Sequence, residues 1–137
     1  MLFRSYSGTS NTGITIDKNM TINGESQTGT IINGTGTNWI FHVNQGINFT
    51  LSNLTITNAT RDYGAAIYND GNLSVTGCSF TGNTVQNYGG AIYHESGSLS
   101  VIDCSFTGNN ALIHAGAIGN AGGILSVTGC SFTGTML

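Results

Sequence analysis

The chain has 137 residues, a formal net charge of −3 and only 7% charged residues, with 21 glycines and no proline. Intrinsic disorder combines low hydrophobicity with high charge, so this composition argues against a disordered chain. The three basic residues are dispersed, which excludes the basic patch that nucleic-acid binding requires. No apolar run approaches the roughly 20 residues of a membrane-spanning helix, and we expect no membrane insertion.

Residues 1–46 predict short strands rather than helices. The stretches GITI (13–16), MTING (20–24), TIING (30–34) and WIFHV (39–43) are apolar or β-branched and lie between Gly/Asn turns. No segment shows a 3.6-residue period. We interpret this region as degenerate coils of the repeat that follows.

The segment INFTLSNLTITN (47–58) is the first approximate copy of that repeat. A shift of 26 residues places Ile47, Phe49, Ser52 and Leu54 in its four inward columns. Its phrase LSNLTITN also matches the leucine-rich pattern L-x-x-L-x-L-x-x-N, which keeps that repeat class open as an alternative. The match occurs once, and the later copies lack its leucines.

One phrase then occurs three times: LSVTGCSFTGN at 73–83, LSVIDCSFTGN at 99–109 and LSVTGCSFTGT at 125–135. A fixed period of 20–50 residues is typical of a solenoid. Within each copy apolar and polar residues alternate, which predicts strands with one buried face. Gly77 interrupts the alternation and predicts a bend or bulge.

A second strand is predicted in each period, at GAAIY (64–68), GGAIY (89–93) and AGAIG (115–119). Two or three short strands per period, each paired with its copy one coil later, form a parallel β-helix. We therefore predict an all-β, single-stranded parallel β-helix of about five coils with about 26 residues per coil.

We expect a single domain over residues 1–137, with degenerate coils over 1–46 and regular coils over 47–137. The last copy stops in mid-coil, and Thr135 replaces the asparagine of the two earlier copies. The opening MLFRSYSGTS has no apolar signal-peptide core.

The motifs F-x-x-N (80–83 and 106–109) and GGAI (89–92) carry a family resemblance. Their pairing resembles the polymorphic outer-membrane proteins and, more closely, the adhesin-like surface proteins of methanogenic archaea. The resemblance extends from about residue 7 to residue 134. It implies a right-handed β-helix of the pectin-lyase type in an exported, surface-attached protein, and thus an extracellular or cell-surface location.

The repeat predicts three structural ladders. Cysteines and phenylalanines occupy inward columns, whereas the asparagines follow each FTG turn, where Asn side chains bond to the backbone. We expect buried, reduced thiols, with a disulfide as the alternative; a metal site is disfavoured because no C-x₂-C pair is present. The predicted ladder residues are Cys78, Cys104, Cys130, Phe80, Phe106, Phe132, Asn83 and Asn109.

Catalytic chemistry is not indicated, and we predict neither catalytic residues nor a cofactor. Glycoside hydrolysis generally requires two carboxylates that flank one bond, and no acidic pair recurs in one column. His94 and Glu95 are predicted to form a solvated pair in a turn. Thr55, Thr81, Thr107 and Thr133 are predicted to form an outward, solvated column rather than an ice-binding array.

Three functions remain as hypotheses. The first is a non-catalytic, structural or adhesin-like β-helix of a cell surface, with surface glycans or other surface proteins as partners. The alternative is a self-assembling homo-oligomer that stacks end to end into a filament or sheath, because solenoids without capping repeats expose their ends. The third is a β-helix that binds or cleaves carbohydrate.

Overall fold

The computed structural model describes residues 2–3, 5–7 and 12–134, with side chains described from residue 12 onward. Thr135 and the predicted mid-coil stop lie outside this range. The strands within it are β1 (Leu2–Phe3), β2 (Ser5–Ser7), β3 (Ile14–Ile16), β4 (Met20–Gly24), β5 (Ile31–Asn33), β6 (Phe41–Val43), β7 (Asn48–Ser52), β8 (Thr55–Thr57), β9 (Thr60–Tyr63), β10 (Ile67–Asn69), β11 (Asn72–Thr76), β12 (Ser79–Thr81), β13 (Thr84–Tyr88), β14 (Ile92–His94), β15 (Ser98–Ile102), β16 (Ser105–Thr107), β17 (Asn110–Ala111), β18 (Ile118–Asn120), β19 (Ile124–Thr128) and β20 (Ser131–Thr133).

All strand pairs are parallel, and each strand pairs with the equivalent strand of the next coil. Two six-stranded sheets follow the orders β1-β4-β7-β11-β15-β19 and β2-β5-β8-β12-β16-β20. A five-stranded sheet, β3-β6-β10-β14-β18, and a short one, β9-β13-β17, complete the coil. The predicted parallel β-helix of about five coils is therefore confirmed.

Apolar side chains fill the interior because each strand alternates inward and outward positions. In β11 the burial pattern places Leu73 and Val75 inside, with their outward neighbours in contact with solvent. The same two columns continue one coil later at Leu99 and Val101. In the part of the chain that the structure describes, no helix has the length and apolar character needed to cross a membrane.

Corner positions require left-handed backbone, which explains the interruption of the alternation. Gly77 has a φ of 63° between β11 and β12, and Asp103 adopts a φ of 53° at the equivalent corner one coil later. Glycine adopts this conformation without steric cost. At the second corner Gly89 has a φ of 68°, and a Cβ at Gly90 would overlap the carbonyl oxygen of Gly116.

The predicted register of the first approximate copy is wrong. Leu73 pairs with Phe49, Val75 with Leu51 and Phe80 with Ile56, so this coil has 24 residues (73 − 49) rather than 26. The four inward columns are held by Phe49, Leu51, Leu54 and Ile56, and not by the predicted Ile47, Phe49, Ser52 and Leu54.

Burial determines this register. All four observed residues are at most 1% exposed, whereas the predicted register would have placed Ser52 in the interior. A shift of two residues keeps the inward faces inward, so the alternation alone does not exclude it. The next coil is two residues longer. One of the two additional residues lies where the register shifts between Val85 and Tyr88, and the other lies in the turn between β14 and β15.

The same shift corrects the threonine column. Thr81 pairs with Thr57, and the predicted member Thr55 pairs with Ser79 instead. The outward column is therefore Thr57, Thr81, Thr107 and Thr133.

Candidate functional site: an aromatic face

The three ladder phenylalanines stack along the interior of the helix. The ring centroids of Phe80 and Phe106 are 4.9 Å apart with an interplanar angle of 9°, and those of Phe106 and Phe132 are 4.9 Å apart at 8°. Phe80 and Phe106 are fully buried, whereas Phe132 is 44% exposed in the last described coil. Their role is to fill the core.

The cysteines also lie in one column, as free thiols. The backbone N–H of Cys78 donates to Sγ of Cys104 at 3.4 Å, and that of Cys104 donates to Sγ of Cys130 at 3.4 Å. Hydrogen bonding with Cys104 and burial raise the pKa of the Cys78 thiol, and burial raises that of Cys130. Hydrogen bonding with Cys78 lowers the pKa of the Cys104 thiol. Because the thiolate is the reactive form, the contacts favour inert thiols at Cys78 and Cys130, whereas the reactivity of Cys104 is limited by its burial.

Asn83 and Asn109 bond the turns of successive coils together. The Oδ1 of Asn83 accepts from the N–H of Ala59 at 3.0 Å, and the Oδ1 of Asn109 accepts from the N–H of Asn83 at 3.0 Å. Their amide nitrogens donate to the carbonyl oxygens of Ile56 and Phe80. Both asparagines are 0% exposed, so these bonds satisfy backbone groups that water does not reach.

The predicted solvated pair of His94 and Glu95 is wrong for the histidine. Strand β14 extends to His94, and the alternation turns this side chain inward, where it is 0% exposed. Asn69 donates to its Nδ1 at 3.0 Å, and burial lowers the pKa of the His94 imidazole. Glu95 is exposed, and its carboxylate lies near enough to Tyr68 and Tyr93 to raise the pKa of both.

Outward rings on successive coils form a continuous surface, which we call the aromatic face. One column runs through Thr15, His42, Tyr68, Tyr93 and Gly119. A second, at the adjoining corner, runs through Tyr63, Tyr88 and His114. The aromatic face comprises His42, Tyr63, Tyr68, Tyr88, Tyr93 and His114; five of these are half-buried and His114 is exposed.

The rings of this face contact one another within and between columns. Tyr68 lies 4.7 Å from His42 and 5.3 Å from Tyr93, measured between centroids. Tyr63 lies 5.9 Å from Tyr88 and 5.0 Å from Tyr93, which joins the columns. Burial and the nearby carboxylate of Glu95 raise the pKa of Tyr68, and they raise the pKa of Tyr93 to about 12. These hydroxyls are therefore neutral at physiological pH.

A polar cluster lies at one end of the aromatic face. Nε2 of His42 is 3.0 Å from a carboxylate oxygen of Asp70, and its Nδ1 is 3.4 Å from a guanidinium nitrogen of Arg61. The Arg61 guanidinium also lies over the Trp39 ring, 4.1 Å from the centroid. Burial lowers the pKa of Arg61.

The cluster resembles part of a catalytic triad but lacks a free base. Because Arg61 has only donors, Nδ1 of His42 accepts, and Nε2 therefore carries the proton that Asp70 accepts. A triad histidine needs one nitrogen oriented by a carboxylate and the other free for the nucleophile. Within residues 12–134, no group of three His, Cys, Asp or Glu side chains is placed to hold a metal ion.

Sequence reasoning missed the aromatic face although a signal was present. The stretches YGAAIY (63–68) and YGGAIY (88–93) carry a tyrosine at both ends of the GGAI motif, and HAGAIG (114–119) is their third copy. The first and last residues of each stretch are five positions apart and flank the corner glycine, so their side chains project on either side of the same corner. The pairing of His42 with Asp70 had no such signal, because 28 residues separate them.

A family model described as the Chlamydia polymorphic membrane protein repeat matches residues 77–95. The matched segment includes β12, β13 and β14, and with them Tyr88 and Tyr93. Searches of curated proteins and of solved structures gave no match. The repeat match and the β-solenoid fit a repeat β-helix like that of the polymorphic membrane proteins. The resemblance to archaeal adhesin-like proteins has no support from these comparisons.

Proposed function

We propose that the chain is a non-catalytic, adhesin-like β-helix of a cell surface and that it contacts its partners through the aromatic face. The observation that carries this proposal is the unbroken contact of half-buried rings over successive coils. Tyrosine combines a large apolar body with a polar tip and is enriched where proteins contact partners. Contacts among the rings also reduce the side-chain entropy lost on binding.

The proposed location rests on the repeat. The matching family is described as a membrane protein of Chlamydia, and its repeat overlaps the aromatic face. We therefore propose a surface or outer-membrane location, with the aromatic face directed toward surface glycans or surface proteins outside the cell.

The absence of catalysis is part of the same proposal. Both imidazole nitrogens of His42 are engaged, with Asp70 and Arg61. This histidine is therefore not left free to transfer a proton to a bound molecule.

Retention on coated surfaces tests the proposal. Beads that carry the protein are passed over cellulose, mannan, chitin, collagen and fibronectin. We compare wild type with a double variant, Tyr68→Thr and Tyr93→Thr, because Thr15 already occupies this column. The control, Thr81→Ala with Thr107→Ala, changes an outward column of a different sheet.

We expect wild type and control to be retained on at least one surface and the tyrosine variant to be lost from it. Circular dichroism establishes that all three are folded. Retention of the tyrosine variant at the wild-type level, or no retention of wild type on any surface, contradicts the proposal.

End-to-end self-assembly is a second candidate, and exposed apolar side chains of the last described coil favour it. Ile124 is 73% exposed, Leu125 36%, Val127 40% and Phe132 44%. Strands β18, β19 and β20 are edges of their sheets in the described range. A second copy that continues the parallel ladders would cover these side chains and pair these edges.

A further inference from the structure

A depression interrupts the aromatic face beside Tyr93. In the column of His42, Tyr68 and Tyr93 each ring packs on the next, but the position after Tyr93 is Gly119. Gly119 has no side chain, so no ring covers Tyr93 from this coil. The ring of His114, 5.8 Å from that of Tyr88, borders the gap on the side of the second column.

The resulting cavity has a volume of about 320 Å³. Ligand pockets typically range from about 300 to 1,000 Å³, so this volume suits a single ring and not a longer segment of a chain. The walls are the rings of Tyr88, Tyr93 and His114, and the base includes Ala115 and Gly119. Asn120 and Ala121 complete the lining.

A side chain at Gly119 would be tightly packed against the neighbouring coil. A Cβ on Gly119 would lie 3.0 Å from the backbone nitrogen of Gly89 and 3.1 Å from Cδ2 of Tyr93. Real Cβ contacts are seldom this short, so a larger residue would displace either the neighbouring coil or the tyrosine. The cavity thus lies where two coils pack tightly, next to the ring of Tyr93.

We propose that this cavity binds one sugar residue of a neutral glycan. This inference rests on the proposed function, because it names the ligand class of the aromatic face. A pyranose has an apolar face of C–H groups that packs on a tyrosine ring, and hydroxyls around its edge. The amide of Asn120 and the imidazole of His114 supply donors and acceptors at the rim.

The chemistry of the lining distinguishes this ligand from two others. A cation bound by aromatic rings is favoured by a carboxylate in direct contact, and the cavity lining contains none, since Glu95 lies near Tyr93 but is not part of the lining. An apolar peptide side chain could pack on the rings but would not use the polar groups of His114 and Asn120 at the exposed rim. A sugar can pack its C–H face on the rings and form hydrogen bonds through its hydroxyls to the polar groups at the rim.

Saturation-transfer NMR with methyl glycosides of glucose, galactose, mannose and N-acetylglucosamine tests the inference. Four variants accompany wild type: Tyr93→Ala removes the ring, Tyr93→Phe keeps it, Ala121→Trp fills the cavity from its exposed rim, and Thr107→Ala is the control on another sheet. We expect weak binding, with a Kd of about 1–10 mM, to at least one glycoside.

Binding should weaken about tenfold in Tyr93→Ala, since stacking on an aromatic ring contributes up to about a factor of ten. Ala121→Trp should abolish it, and Tyr93→Phe and Thr107→Ala should keep it. The inference is overturned if no glycoside binds wild type at about 50 mM, or if a bound glycoside is unaffected by both Tyr93→Ala and Ala121→Trp.

The two proposals fail separately. Tyrosine-dependent retention on collagen or fibronectin without glycoside binding contradicts the proposed sugar site but agrees with the proposed contact surface. Retention that does not depend on the tyrosines contradicts the proposal that the aromatic face is the contact surface, regardless of the result with the glycosides.

Discussion

Identical side chains on successive coils contact one another, so the environment of one residue depends on its position along the axis. Phe106 has a phenylalanine ring on either side, whereas Phe132 has one ring neighbour in the described coils and is 44% exposed. The hydrophobic contribution of a side chain scales with the area it buries. Equal residues therefore contribute unequally to stability.

Replacement of these phenylalanines tests that conclusion. Phe106→Ala should reduce the free energy of unfolding by about 3–5 kcal/mol, the usual range for a buried aromatic residue. Phe132→Ala should cost less, because solvent already reaches its ring. Urea denaturation followed by circular dichroism measures both. Equal losses, or no loss at either position, would contradict the inward stack.

Burial of His94 predicts acid sensitivity. Its pKa is lowered in the folded state, so the unfolded chain binds the proton more strongly. The stabilisation is complete above the unfolded pKa of about 6.5 and is lost as the pH falls through that value toward the folded pKa. The urea midpoint should decrease between about pH 7.5 and about pH 5.5.

The variant His94→Asn provides the control for this pH dependence. Asn69 and Asn120 occupy the same column, so asparagine is compatible with the site. His42 and His114 remain in both proteins and cannot account for a difference between them. An equal fall in midpoint for wild type and variant would exclude His94 as its cause.

At the scale of the turns, the asparagine ladder connects one coil to the next. Asn83→Ala removes the acceptor of the Ala59 N–H and a donor to Ile56, both buried. Each buried polar group left without a partner costs about 1–3 kcal/mol. Asn72→Ala, which removes exposed bonds to Asn48 and Ser98, should change stability by less than about 0.5 kcal/mol.

Thermal unfolding by calorimetry compares the two asparagine variants with wild type. A markedly lower melting temperature for Asn83→Ala alone is expected. Similar melting temperatures for both variants would show that the buried bonds to the neighbouring turn contribute nothing beyond those of a surface amide.

The repeat made the strands, their parallel pairing and the inward columns of the later coils predictable. It did not fix the register of the first approximate copy, because Phe49, Leu51, Leu54 and Ile56 differ from the later Leu, Val, Cys and Phe. A two-residue shift preserves alternation, and only the packing of the whole coil excludes it. The repeat pattern therefore predicts the register where identical residues recur. Where the residues diverge, the register depends on tertiary contacts.

The candidate site was less predictable than the fold. Outward positions are not constrained by core packing, so the tyrosines that recur beside the GGAI motif were not recognised as one surface. His94 was assigned to a turn because the predicted strand ended at Tyr93, yet the strand continues to His94 and buries it. The contacts of His42 with Asp70 and Arg61 join three different strands or turns and require the coiled structure.

At the scale of the whole molecule, end-to-end association predicts that size depends on concentration. Leu125→Lys places a charge on the last described coil and should reduce association. Ile102→Lys, at a matched exposure of 37% against 36%, changes the side of the rod and should not. Sedimentation velocity over a range of concentrations measures the size distribution. Equal sensitivity of both variants would indicate contacts through the sides, and a monomeric wild type would contradict self-assembly.

Hydroxyl-radical footprinting tests the central claim, that the aromatic face is the contact surface. Mass spectrometry compares oxidation of the free protein with that of the protein on a surface that retains it. We predict strong protection of Tyr68, Tyr88 and Tyr93 in the bound state, with unchanged oxidation of Ile102 on another sheet. Unchanged oxidation of the tyrosines together with protection of Ile102 or of the last described coil would contradict the account.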